Sequence, residues 1–202
     1  MSLIDYLLII FSYFIGSLSS GIILSKIFKK EDIRKKDYPG GSGAVRQYGL
    51  GFGILVGLLD ILKGSIISFL VINFCKSDLT IILSYILLIF GNNYPIYFGF
   101  KGGQGVGATI GYAITLFPFE TIMSFIVGSI FALSYKFLKL NRYIKFMGAV
   151  PFGAIFGLIT MFIILIRKYP LYPFPFLVII AGLLLLSRGL QVIIFQSKKL
   201  DE

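Results

Sequence analysis

The chemistry-bearing spacing in this chain is densest in Phe98-Gly99-Phe100-Lys101-Gly102-Gly103-Gln104-Gly105-Val106-Gly107. Glycines take positive φ without steric cost, so such a run can curl its backbone N–H groups toward one point. The apolar residues that follow, Ala108 to Phe117, read as a helix. A helix N-terminus offers free N–H donors and a partial positive charge, which suits a phosphate or an oxyanion. Lys101 adds a full charge at the same place. The run is not a Walker loop, because no Gly-Lys-Ser/Thr follows the glycines and no strand precedes them. A flexible membrane loop or close helix packing would also use small residues. Five glycines beside one lysine exceed what packing needs.

Two further groups have usable spacing. Asp60 and Lys63 stand three residues apart in an apolar run, on one face of a helix and close enough to pair. Ionisable groups inside a span are costly and usually face a polar cavity, so a site role is set against a structural ion pair near the inner end of the helix. The segment Tyr38-Pro39-Gly40-Gly41-Ser42-Gly43-Ala44-Val45-Arg46 reads as a glycine turn followed by an arginine, a second phosphate cradle or a plain loop. Earlier, Gly16-Ser17-Leu18-Ser19-Ser20-Gly21 lets another backbone approach. There Ser17 is the candidate to face a polar site, and packing is the expected role of Ser19 and Ser20.

Composition excludes much else. The chain has 202 residues, 57% of them hydrophobic, and no histidine. A Ser–His–Asp triad, a histidine general base and a histidine metal site are therefore impossible. The one cysteine, Cys75, cannot form an internal disulfide. No carboxylate cluster suggests a metal, and neither metal nor cofactor is expected. A net charge of +10 raises nucleic acid as a partner, but the cations lie in short loops between apolar runs, which the positive-inside rule explains better. With a mean hydropathy of +0.92, the expectation is one all-α polytopic membrane domain over residues 1–202.

The elements that must position these groups follow in order. A first span is expected over about Leu3–Phe28. It begins beside Asp5 without a basic leading region, unlike a cleavable signal peptide. A polar loop follows over Lys29–Gly49, then a second span over about Phe52–Phe74 and a short outer loop from Cys75 to Leu79. A third span over about Thr80–Phe98 ends near Asn92, Asn93 and Pro95. That proline breaks the hydrogen-bond ladder and tilts the chain into the glycine run. The segment from there to Pro118 is too short to cross about 30 Å of hydrocarbon and reads as a half-span. Further spans are expected over about Phe119–Leu138, Phe146–Ile166 and Phe174–Phe195, making about seven spanning or half-spanning helices. With the N-terminus outside, the inner loops carry most cations, from Lys26 to Lys199. The outer ones carry only Lys76, Arg167 and Lys168, so the C-terminus is expected on the cytoplasmic side.

Gly16-Ser17, Asp32-Ile33-Arg34-Lys35, Asp60-Ile61-Leu62-Lys63-Gly64 and the stretch from Gly91 to Gly105, in this order, resemble the bacterial acyl-phosphate:glycerol-3-phosphate acyltransferases, the PlsY family. The chain looks like a divergent paralogue. Neutral Asn92 and Gln104 stand where that family carries histidine and lysine, and the Gly41–Arg46 loop is shortened. The resemblance implies a seven-helix bundle that moves a fatty acyl group from acyl phosphate to glycerol 3-phosphate, giving lysophosphatidic acid for phospholipid synthesis. It implies membrane lipid as surroundings and leaves the oligomeric state open. The reacting centre would comprise Lys101, Gly102, Gly103, Asp60 and Lys63. The phosphates would be held by Ser17, Arg34, Ser42, Arg46, Asn92, Gln104, Gly105 and Arg188. A non-catalytic lipid- or phosphate-binding paralogue and a small transporter are the alternatives. The second would call for an inverted repeat, and none is evident.

Overall fold

A computed structural model describes residues 1–75, 77–142 and 149–200. The described residues form nine α-helices and short 3-10 turns, with no strand. The helices are α1 (Leu3–Gly16), α2 (Ser20–Phe28), α3 (Gly41–Tyr48), α4 (Leu50–Phe74), α5 (Asp78–Asn93), α6 (Val106–Leu116), α7 (Pro118–Phe137), α8 (Ala149–Lys168) and α9 (Phe174–Leu200). They fall into two compact units, Met1–Leu116 and Phe117–Glu202. Among the described residues, α4, α7 and the stretch Asp78–Phe98 are long and apolar enough to cross a membrane. The pair α1 and α2 passes the same test as one span bent by 41°.

That bend corrects the expected unbroken first span. Ser2 caps α1 by accepting from the Asp5 N–H, while the Asp5 carboxylate takes the Ser2 N–H. At the other end the Leu18 N–H reaches back to the Ile15 carbonyl, tightening the last turn, and Ser19 is extended, so α2 starts on a new axis. The second correction lies in the Lys29–Gly49 loop, whose glycine turn is instead the start of α3. This helix lies on a core of Ile22, Leu24, Ile33, Ala44 and Val56. Burying each of the larger members is worth roughly 1.5–3 kcal/mol, enough to outweigh poor helix propensity in a glycine-rich octet.

In the first unit, small residues let the long helices touch backbone to backbone. A Cβ on Gly64 would overlap the Ala108 carbonyl, and one on Gly111 the Ile61 carbonyl, so α4 and α6 are in direct contact. Gly16 and Gly91 do the same for α1 and α5. In the second unit α7 opens with Pro118 at its first turn, and Gly128 and Gly153 bring α7 against α8. Phe131 stacks on Phe156 at 3.8 Å, and Lys168 pairs with buried Glu120 at 2.6 Å. The start of the expected Phe146–Ile166 span lies outside the described residues, as do Lys76 and Lys145.

Candidate active site

Asp60 and Lys63 are both buried and pair at 2.9 Å. They lie in the middle of α4 rather than near its end, about 15 Å along the axis from Leu50. The Lys63 ammonium has three hydrogens and no shortage of acceptors. Besides Asp60 it donates to the Leu18 carbonyl at 3.0 Å, to Asn92 Oδ1 at 3.1 Å and more weakly to the Gly16 carbonyl at 3.4 Å. Asp60 Oδ1 also accepts from Ser20 Oγ at 2.7 Å. Lys63 therefore ties the α1–α2 break, α4 and the end of α5 together. Expected at the reacting centre, Lys63 has all its donors engaged within the protein. Asn92, expected at a phosphate, is likewise committed to Lys63. Ser17 donates to the Tyr13 carbonyl of its own helix rather than facing an open site.

The glycine run hangs from the same place. After Pro95 a 3-10 turn (Ile96–Phe98) leads to Gly99 and Phe100, both at positive φ. The chain then folds back under the end of α5. The Gly102 N–H donates to the Asn93 carbonyl at 3.1 Å and the Gly103 N–H to the Asn92 carbonyl at 3.0 Å. This corrects the expectation that these two N–H groups aim at a ligand; they close the turn. Further on, the N–H groups of Gln104, Gly105, Val106, Gly107 and Ala108 have no backbone acceptor among the described residues, and Gly105 accepts from the Thr109 N–H to start α6. Gln104 and Gly105, both expected at a phosphate, thus lie in a run of N–H groups of the kind that suits an anion, whereas Gly102 and Gly103 do not. Gly105 has φ +80°, a conformation that admits glycine best, so the arc depends on that residue. Where Gly107 stands, a Cβ would meet Asp60 Cβ at 2.6 Å, so the arc and the ion pair are in contact.

The cations of the polar segment are mostly engaged. Arg34 grips Asp32 with three bonds, Nη2 to Oδ2 at 2.6 Å being the shortest, and its Nη1 donates to the Phe98 carbonyl at 2.6 Å. The Arg34 bonds hold the Asp32 carboxyl down at about 2, against the partial burial that pushes it up. Arg46, expected at a phosphate, forms a bidentate pair with Asp37 at 2.6 and 2.7 Å. Ser42 is exposed in the first turn of α3. The two glycine segments do meet, since a Cβ on Gly103 would lie 3.8 Å from Gly40 Cα. Lys101 is exposed and Gln104 half-buried beside them. Arg188 belongs to the second unit, on α9, where it donates to Gln191. Sequence reasoning missed Ser20, whose partner is distant in the chain, and Asn93, whose buried Oδ1 has no partner.

A family model described as glycerol-3-phosphate acyltransferase matches residues 6–192. Glycerol-3-phosphate acyltransferase 2 of Deinococcus radiodurans is 33% identical over 148 residues, 72% of this chain and 74% of that protein. The glycerol-3-phosphate acyltransferase of Shouchella clausii is 31% identical over 89% of this chain and 86% of its own length. Among solved structures, a crystal structure of PlsY, an integral membrane glycerol 3-phosphate acyltransferase in its glycerol 3-phosphate form, matches with a TM-score of 0.76 and 28% identity, covering 96% of this chain and 92% of that one.

Proposed function

The chain belongs to the glycerol-3-phosphate acyltransferase family, and on that premise we propose that it transfers a fatty acyl group from acyl phosphate to glycerol 3-phosphate within a bacterial plasma membrane. The observation that carries this reading is the arc itself: five successive N–H groups, Gln104 to Ala108, with Lys101 beside them, braced on a buried Asp60–Lys63 pair among apolar helices. An acyl phosphate already carries a good leaving group. The protein must chiefly bring two anions together and stabilise an oxyanion.

The terminal hydroxyl of glycerol 3-phosphate attacks the acyl carbonyl carbon, and the new C–O ester bond forms as the carbonyl oxygen gains charge. N–H groups of the arc stabilise that charge, and Lys101 neutralises a phosphate. The carbonyl C–O(phosphate) bond then breaks. The leaving phosphate takes the hydroxyl proton, which accounts for catalysis in a chain without histidine. The products are lysophosphatidic acid and phosphate. Asp60 and Lys63 act by holding the arc. The cation asymmetry supports an outside N-terminus, which sets the arc toward the cytoplasm. The test is mass-spectrometric detection of lysophosphatidic acid from purified protein, acyl phosphate and glycerol 3-phosphate. Product with stoichiometric phosphate release supports the reading; no product under conditions in which the protein stays folded would overturn it.

A further inference from the structure

We propose that Asn93 determines acceptor specificity, its side-chain carbonyl oxygen accepting a hydrogen bond from a hydroxyl of the acceptor that does not react. The proposal rests on the acyl-transfer reading above. Asn93 closes α5 and is 2% exposed, and its Oδ1 has no hydrogen-bond partner. The neighbouring Asn92 is different, because its Oδ1 is taken by Lys63 at 3.1 Å. Buried polar atoms are matched in folded proteins by protein, water or ligand, so an orphan of this kind points to a group from outside the chain.

The direction of the side chain says where that group sits. Asn93 Oδ1 lies 2.9 Å from where a Cβ on Gly105 would stand. Gly105 starts the first turn of α6, so the oxygen is aimed into the arc, next to N–H groups that have no backbone acceptor among the described residues. The Asn93 backbone is fixed there, because its own carbonyl holds the Gly102 N–H. On this side the oxygen faces the backbone of a residue with no side chain.

The two neighbouring features want different chemistry. The N–H groups and Lys101 attract phosphate oxygens. A carbonyl oxygen repels them and accepts an O–H. A polyol monophosphate offers both within a few bonds. Glycerol 3-phosphate has one hydroxyl that is acylated and a second, on its middle carbon, that is left to be recognised. A buried water is the other source of an O–H, and a pair of acceptors distinguishes the two.

The experiment compares glycerol 3-phosphate with 3-hydroxypropyl phosphate, which keeps the reacting hydroxyl and the phosphate and lacks the middle hydroxyl. Palmitoyl phosphate is the donor, with the full chain in detergent. The wild-type protein should prefer glycerol 3-phosphate by about tenfold in kcat/KM, the size of one buried hydrogen bond. Asn93→Leu, close in volume, should bring the ratio near one, with KM for palmitoyl phosphate unchanged. Asn93→Ala should do the same and serves if the leucine variant does not fold. A residue that is only structural, or that binds only water, would slow both acceptors alike and keep the ratio; that result overturns the proposal. So does a wild-type protein that uses both acceptors equally well. No transfer to either acceptor would overturn the acyl-transfer reading itself, and this proposal with it.

Discussion

Lys63 on α4 reaches across to the end of α5, its Nζ 3.1 Å from Asn92 Oδ1. The Asn92 backbone carbonyl in turn holds the Gly103 N–H at 3.0 Å. One buried cation thus fixes the residue from which the glycine arc is suspended. Asp60 offsets its charge, and Ser20 orients Asp60.

Lys63→Met should therefore act first on folding. It leaves the Asp60 carboxylate buried without its cation, a loss of about 3–5 kcal/mol for a buried pair. Asp60→Asn combined with Lys63→Met removes both charges and should recover part of that loss. Thermal unfolding of the three variants in detergent checks this. A single Lys63→Met protein as stable as the wild type would remove the pair from its bracing role.

Gly102 and Gly103 are adjacent but should respond oppositely to a methyl group. At Gly102 a Cβ would overlap the Asn92 carbonyl and crowd Pro95 Cδ at 2.5 Å; at Gly103 its nearest neighbour is Gly40 Cα at 3.8 Å. Gly102→Ala should unfold the arc or the protein, with a loss of roughly 1–3 kcal/mol or more. Gly103→Ala should fold normally. Equal stability of the two would contradict the described path of the arc.

This contrast marks the limit of what the sequence discloses. Helices α4 and α7 and the stretch Asp78–Phe98 were legible because membrane-crossing helices need long apolar runs, and the Asp60–Lys63 pair because helical spacing puts residues three apart on one face. The arc was legible as a glycine cluster, but not that Gly102 and Gly103 spend their N–H groups on closing the turn, since composition does not say which N–H groups a loop uses for itself. The α1–α2 break was hidden inside continuous apolar sequence. Helix α3 was hidden because glycines predict a turn, whereas the burial of Ala44 and Ile33 makes a helix there. Ser20 and Asn92 acquire their partners, Asp60 and Lys63, only from contacts between distant segments.

The Asp32–Arg34 clasp makes a prediction with pH. Asp32 titrates near 2 in the folded protein, below its ordinary 3.8. A folded value below the unfolded one means that the ionised carboxylate stabilises the loop. Its contribution is complete above about 4 and is lost as pH falls through about 2. Amide exchange across residues 31–38 should stay protected down to pH 3 and rise below it. In Arg34→Gln the rise should begin about a pH unit higher. Identical profiles would show that the clasp does not order this loop.

Membrane orientation calls for an introduced label. Cys75 is buried beside Asp5, and burial pushes its thiol up to about 11, so it should react slowly with maleimide from either side. In a Cys75→Ser background, Asp78→Cys should label from outside intact cells and Ser42→Cys only after permeabilisation. Both positions are exposed in the fold. The reverse pattern would invert the proposed topology.

The central claim, that the arc does the chemistry, is tested most directly by acyl transfer from palmitoyl phosphate to glycerol 3-phosphate at saturating donor, comparing the wild-type chain with Lys101→Ala and Gln104→Lys. Losing or gaining a charge-assisted hydrogen bond is worth on the order of 1.5–3 kcal/mol, or about tenfold to a hundredfold. The account predicts measurable transfer by the wild type, a loss of that size in Lys101→Ala and a gain in Gln104→Lys, with stability unchanged in both. Transfer at the wild-type rate in folded Lys101→Ala, or no product from the wild type and Gln104→Lys alike, would contradict it.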